Sequence, residues 1–265
     1  NNGRFFFGSE LKAFRAHSQF KGDINRDSIA LYMRHNCVPA PYSIYLGINK
    51  LMPGTYVTVP LADLSATDGI NPVHYWSLES VASNHQRNLF EGSQGEALAE
   101  LERLLIETIR SQSITDVPLG AFLSGGIDSS LVVALMQANS SKPIKTFTVG
   151  FEEEGYNEAS HAMAVASHLE TDHTEYYVTP KECRVVIPKL PELYDEPFAD
   201  SSQIPTSLIS KLASSQVTVA LSGDGGDEIF GGYNRYIWTR NIWNKLKWLP
   251  NIMKNSGCVW KLSKV

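Results

Sequence analysis

Two short stretches of this sequence combine residue types that can do chemistry. Residues 120–130 read GAFLSGGIDSS and residues 219–232 read VALSGDGGDEIFGG. In each, an apolar run passes into Ser-Gly, further glycines follow, and carboxylates arrive within a few positions. Consecutive glycines after a buried strand permit unusual backbone angles and close approach of a ligand. A helix starting next offers unpaired N–H groups and a positive dipole end to an anion, which suits phosphate. Ser124, Ser129 and Ser130 add hydroxyl donors. Asp128 would repel a phosphate unless a cation lay between them, and Mg2+ favours one or two carboxylates together with phosphate oxygens. The plain alternatives are a strand-to-helix turn with Asp128 as an N-terminal helix acid and, in the second stretch, a solvated acidic turn.

Neither stretch is a common phosphate loop. A Walker loop requires GxxxxGK[ST], and no lysine follows these glycines; the second stretch has Gly223-x-Gly225-x-x-Glu228 and lacks the third glycine of a dinucleotide fingerprint. What remains is a loop that grips phosphates by backbone and hydroxyls, with an acid for a metal.

The elements that must position these turns are legible around them. Ser93 and Glu96 form a capping box before Leu98, Leu101, Leu104, Leu105 and Ile109, which recur at helical spacing. Strand and helix patterns then alternate: LGAFLSGG, a helix over about 129–138, IKTFTVGF, a helix over 158–169, HTEYYVT, helical patterns near 180–194 and 203–215, and the apolar VTVALSG. This alternation predicts an α/β fold, a mostly parallel sheet with helices on both faces. Ligands of such sheets bind outside the carboxyl ends of the strands, where both Ser-Gly turns fall.

Upstream the composition differs. Short runs such as GTYVTV (54–59), Pro and Gly turns, and one helix over 26–35 capped by Asp23 or Asn25 read as the tail of a β-rich domain. Asn2-Gly3 suits a hairpin turn with Arg4 to Phe7 as the returning strand, and the absent first strand and initiator Met suggest a segment of a longer protein. The polar stretch ESVASNHQRNLFEGSQG lacks sustained periodicity and reads as a linker. The expected organisation is 1–80, a linker at 81–95, and 96–265.

Bulk properties narrow the function. The 265 residues, 43% hydrophobic and 10% aromatic, can bury a sizeable core. A net charge of -5 lacks the basic excess that nucleic-acid binding needs. Cys37, Cys183 and Cys258 are far apart, without CxxC spacing, so neither a disulfide framework nor a zinc site is indicated, and a cytoplasmic location fits. No membrane span or export signal is read. His161, His168 and His173 form no convincing metal set and suit surface or packing roles. In YNRYIWTRNIWNKLKWLP, Trp238, Trp243 and Trp248 stand among basic residues and suggest an amphipathic helix packed on a core.

The Ser-Gly-Gly-x-Asp-Ser-Ser loop resembles that of the ATP pyrophosphatases, which cleave ATP between its α and β phosphates to adenylate a substrate. DVPLGAFLSGGIDSSLVVAL, DEPFADSSQIPT (195–206) and LSGDGGDEIFGGY (221–233) together resemble the synthetase domain of the glutamine-hydrolysing asparagine synthetases. FFFGSELKAF and VPAPYSIYLGINKLMPGTYVTV are similar to the last part of that family's glutaminase domain, so the resemblance covers nearly the whole chain.

The resemblance implies an adenine nucleotide α-hydrolase-like fold preceded by the end of an N-terminal-nucleophile glutaminase domain. It implies ATP and Mg2+ as cofactors and, as small-molecule partners, aspartate or another carboxylate and ammonia from glutamine; a homo-oligomer is left open. Phe122, Leu123 and Val149, at strand ends, would pack around the nucleotide. Ser124, Gly125, Gly126, Ser129 and Ser130 would hold phosphates, Asp128 would bind the nucleotide through a metal ion, Ser222 and Gly223 would contact adenosine or the α-phosphate, and Asp128 and Asp227 would hold that Mg2+. Asp224 stands where the family carries an acid important for forming and consuming the acyl-adenylate, more familiarly Glu. Asp195, Glu196 and Asp200 either face the nucleotide pocket or cap the helix near Pro205. Class II glutaminases use an amino-terminal Cys, whereas this chain begins with Asn1, so as given it is expected not to hydrolyse glutamine and to be inactive alone. GGYNRYIW is similar to amidotransferases of surface-polysaccharide assembly that act on a sugar carboxylate, and a non-catalytic nucleotide-binding relative is the third reading.

Overall fold

The computed structural model describes residues 5–60, 71–151 and 158–247. They divide into two compact units, one of Asn1–Thr108, Val149–Tyr156 and Tyr176–Ser215, the other of Ile109–Thr148, Asn157–Glu175 and Gln216–Val265.

The amino-terminal portion holds α1 (Lys12–Arg15), α2 (Arg26–His35), the ladder of β1 (Thr55–Tyr56) with β2 (Val73–His74), α3 (Leu78–Arg87) and α4 (Gln94–Gln112). Asn25 caps α2, its side-chain oxygen accepting from Asp27 N and Ser28 N, and left-handed Asn36 ends the helix. The expected strand over 54–59 is reduced to two residues paired antiparallel with β2. Phe5–Phe7 form no strand, and the Asn2-Gly3 turn lies outside the described residues.

The stretch read as a linker contains a helix instead. Ser77 caps α3 by accepting from Ser80 N, Glu79 sits in its first turn and His85 and Arg87 in its last, so end effects favour helix although none of its residues is buried. The capping box of α4 forms as expected, Glu96 N donating to Ser93 Oγ and Ser93 N to Glu96 Oε2.

The alternating portion follows as β3 (Leu119–Phe122), α5 (Ile127–Ala138), β4 (Lys145–Phe151), α6 (Ala159–Leu169), β5 (Asp172–Val178), α7 (Pro180–Val186), a 3-10 turn (Ile187–Lys189), α8 (Leu190–Leu193), α9 (Gln203–Ala213), β6 (Val219–Leu221), α10 (Gly226–Phe230) and α11 (Asn234–Leu246). The four strands form one sheet in the order β5-β4-β3-β6, with β3 parallel to both β4 and β6. The chain therefore moves outward from β3 through β4 to β5, then returns to place β6 on the other side of β3. That reversal is a topological switch point, where open α/β sheets leave a crevice at the strand carboxyl ends.

The core beneath it joins Ile109 of α4, Ala121 and Leu123, Val133 and Met136 of α5, and Ala162 and Ala166 of α6. Burying side chains such as Leu123 and Val133 contributes roughly 1.5–3 kcal/mol each. Ala159, Ala162 and Ala166 lie on one face of α6 and are buried, which lets the helix approach closely. By contrast, α11 buries none of its residues, and Trp238 is 66% exposed. The expected core packing of this helix is absent among the described residues because Tyr236, Ile237, Trp238 and Ile242 wrap around it rather than forming one stripe.

Candidate functional site

Both Ser-Gly turns leave adjacent parallel strands at the switch point, the first from β3 and the second from β6. They are in contact. A Cβ placed on Gly223 would lie 2.6 Å from Ser129 N and 2.9 Å from the Asp128 carbonyl carbon, and one on Gly226 would lie 2.5 Å from Asp128 Cγ. Glycine at 223 and 226 is therefore what lets the second turn rest on the first turn of α5.

The first turn braces itself. Ser129 is buried, and its hydroxyl accepts from Ser124 N at 3.2 Å, donates to Gly126 O at 3.3 Å and shares a 2.9 Å hydrogen bond with Ser124 Oγ. Ser129 thus serves as an internal strut more than as an open donor. Gly125 takes a φ of +78° and abuts α6, a Cβ there falling 2.6 Å from Ala162 N. Helix α5 begins at Ile127, two residues earlier than expected, so Asp128 stands in its first turn. Gly126, its N-cap, brings no side chain to the first-turn N–H groups, which leaves the dipole end to a ligand. Ser130 Oγ is buried without a hydrogen-bond partner among the described residues. A backbone cradle and an orphaned hydroxyl fit a phosphate-bearing nucleotide.

Leu123 is 1% exposed and continues the strand, its N–H donating to Phe147 O and its carbonyl accepting from the Thr148 hydroxyl, so it supports the loop from the core. Phe122 ends β3 half-buried, and Val149 lies in β4.

In the second turn Asp224 is exposed, and its N–H donates to Ser222 Oγ at 3.3 Å. Asp227 is half-buried in α10, and its carboxylate fills the space beside Gly232, whose N–H donates to Asp227 O at 3.0 Å. Tyr233 then donates to Glu228 Oε1, a bond that raises the Tyr233 pKa. Neither Gly232 nor Tyr233 was singled out from the sequence; the paired glycines were the available signal. Among the described residues no group of three or more His, Cys, Asp or Glu could hold a metal alone. The Asp128 carboxylate lies against Gly226 and that of Asp227 against Gly232; each is the oxygen-donor type that Mg2+ takes, with phosphate oxygens completing its shell.

The histidines take surface or packing positions, His161 and His168 being exposed and His173 half-buried. His161 lies against Gly125, and His173 shares a 2.8 Å hydrogen bond with Thr146, while burial lowers its pKa against the opposing pull of Glu175. DEPFADSS resolves differently for each acid. Asp200 caps the chain before α9, its Oδ1 accepting from Ser202 N at 2.8 Å, which lowers its pKa. Asp195 and Glu196 take neither expected role: Asp195 accepts from Lys12 N, and Glu196 accepts from Ile44 N and pairs with Lys50.

Comparison with known proteins decides the family. The asparagine synthase family profile matches residues 100–264. The chain belongs to the asparagine synthase family. A glutamine amidotransferase domain profile matches residues 1–76. Among curated relatives, a Methanocaldococcus jannaschii protein provisionally named glutamine-hydrolysing asparagine synthetase 2 is 36% identical over 88% of this chain and 44% of its own length. Glutamine-hydrolysing asparagine synthetase 1 of Bacillus subtilis is 32% identical over 89% of this chain and 35% of its own. The chain therefore spans less than half the length of these asparagine synthase relatives. A weaker likeness, with 14% identity and a TM-score of 0.38 over 51% of this chain and 58% of the other, is to an NMN synthetase from Francisella tularensis.

Proposed function

We propose that the protein containing this chain amidates a carboxylate at the expense of ATP, through an acyl-adenylate, and that aspartate is the acceptor. Membership of the asparagine synthase family supports ATP-dependent amidation in general. The observation that carries the finer reading is the seating of Gly223 on Asp128 and Ser129 at the switch point, which joins an anion cradle to a second acidic turn.

In this reading the first-turn N–H groups of α5, with Ser124, Gly125, Gly126 and Ser130, hold the β and γ phosphates as a leaving group. Ser129 braces that loop, Leu123 supports it, Phe122 and Val149 flank the nucleotide, and Ser222 and Gly223 meet its adenosine or α-phosphate side. Asp128 and Asp227 would hold Mg2+, and the ion would neutralise charge developing on the pyrophosphate. The acceptor carboxylate attacks the α-phosphorus, the bond to the bridging oxygen breaks, and pyrophosphate leaves. Ammonia, released from glutamine by the amidotransferase domain of the full-length protein, part of which is matched at 1–76, attacks the acyl carbon and AMP departs. Asp224, exposed beside the nucleotide turn, accepts the proton that the attacking ammonia must lose.

A second reading, amidation of a sugar carboxylate in surface-polysaccharide assembly, is favoured by GGYNRYIW. An acceptor screen on the full-length protein decides between them: pyrophosphate release with ammonia is followed with aspartate, uronic acids and nucleotide-linked uronic acids. Release with aspartate alone supports the first reading, release with a uronic acid the second, and release with no carboxylate removes both.

A further inference from the structure

The loop after Tyr194 lies in the part of the chain matched to asparagine synthase, yet the amino-terminal segment matched to a glutamine amidotransferase domain holds it. Asp195 takes a φ of +60°, a left-handed conformation that a non-glycine residue keeps only where its surroundings hold it. The enforcing groups come from the start of the chain. Lys12 N donates to Asp195 Oδ2 at 3.1 Å, Arg15 Nη2 donates to the Asp195 carbonyl at 2.9 Å, and Lys12 Nζ donates to Leu193 O at 3.3 Å.

The next residue is held as firmly. Glu196 Oε1 accepts from Ile44 N at 2.6 Å while its other oxygen pairs with Lys50 Nζ. The Glu196 side chain is 12% exposed and that of Lys50 33%, so the pair is only partly screened by water. Lys50 is fixed in turn by donating to Val38 O at 2.6 Å. Farther along, Ala199 N donates to the carbonyl of left-handed Asn36 at 2.8 Å. Leu193 to Ala199 is thereby held at four points by residues more than 140 positions earlier, and the same run leads through α9 into β6 and the Ser222–Asp227 turn.

We propose that Lys12, Arg15 and Lys50 are positioning residues for the synthetase step, acting on it through the Leu193–Ala199 loop although they lie in the amidotransferase-matched segment. This rests on the amidation reading above. The test uses the full-length protein with Lys50→Met, Lys50→Arg, Glu196→Gln and the Lys50→Met/Glu196→Gln double variant, with ammonia as nitrogen donor so that glutamine chemistry is bypassed. Displacing a positioned loop is expected to lower kcat/KM for pyrophosphate release about ten- to hundred-fold in Lys50→Met. Glutamine hydrolysis and Tm should stay near wild type, Lys50→Arg should recover most of the loss, and the double variant should be no worse than the poorer single one. Unchanged kcat/KM in both single variants, or equal losses in synthesis and hydrolysis, would overturn the proposal. If wild type releases no pyrophosphate with any carboxylate, the amidation reading has failed instead. Amide exchange at Ile44 and Ala199 then tests the clamp alone: faster exchange in Lys50→Met upholds it and unchanged exchange overturns it.

Discussion

Replacing Gly223 by Ala probes the contact on which the site is built. The added methyl would lie 2.6 Å from Ser129 N, 2.9 Å from the Asp128 carbonyl carbon and 3.0 Å from Ser129 Cα, all backbone atoms that cannot swing aside. Restoring ordinary contact near 3.4 Å requires the two turns to part by roughly 0.8 Å. Forced overpacking of this kind costs about 1–3 kcal/mol, equivalent to a Tm decrease of roughly 2–12 °C in a chain of this size. A shift approaching 1 Å in a positioned site can cost up to about 10²-fold, so Mg-ATP affinity and pyrophosphate release should fall by roughly ten- to hundred-fold. The control is Gly126→Ala, with a φ of −70° and only Ser124 Oγ near its Cβ position, at 3.3 Å. It should remain within about 0.5 kcal/mol of wild type. Thermal unfolding and ATP titration of the full-length proteins measure both quantities. If Gly223→Ala matches wild type, or Gly126→Ala has the lower Tm, the turns do not meet as described.

Three further outcomes follow from the same geometry. Asp128→Asn should abolish most of the Mg2+ dependence of ATP binding, which calorimetry with and without the metal would detect; an unaltered dependence would remove Asp128 as a metal ligand. Asp224→Asn should bind ATP nearly normally yet lose amide formation by about two to four orders of magnitude, with Asp224→Glu retaining more, as rapid-quench counting of adenylate and amide would reveal. The Tyr176 hydroxyl, together with Thr179 N–H and hydroxyl, lowers the Glu182 pKa from 4.5 to about 2. The stability this bond contributes is complete above pH 4.5 and is lost as pH falls through about 2; Tyr176→Phe should raise the carboxyl pKa, measurable by NMR titration.

The sheet was legible because three of its four strands, LGAF, KTFTVGF and VAL, are largely apolar runs that lead into a glycine or a helical repeat, and the fourth, DHTEYYV, is rich in β-forming residues. The sequence also placed both Ser-Gly turns after strand carboxyl ends, and they follow β3 and β6 there. It did not reveal that Ser129 is consumed inside its own loop, because a serine at a helix start reads equally as donor or strut. Nor did it show the glycine contacts at 226 and 232, since a glycine's role depends on what approaches it in space. The helix at 78–87 was hidden because its apolar face is confined to Leu78, Val81 and Ala82, too short a run to signal a helix, and its ends are supported by Ser77 and terminal charges. Asp195 and Glu196 were misread for a related reason: their partners Lys12, Ile44 and Lys50 lie more than 140 residues away, and no local pattern encodes such pairs.

The joined turns are proposed to activate a carboxylate by adenylation. Oxygen transfer tests it most directly. With an acceptor labelled with 18O in its reacting carboxylate, ammonia and ATP, the full-length protein should release unlabelled pyrophosphate and AMP carrying one 18O in its phosphate, because the attacking oxygen stays with phosphorus when the amide forms. AMP without label, or ADP with labelled orthophosphate, would contradict the account.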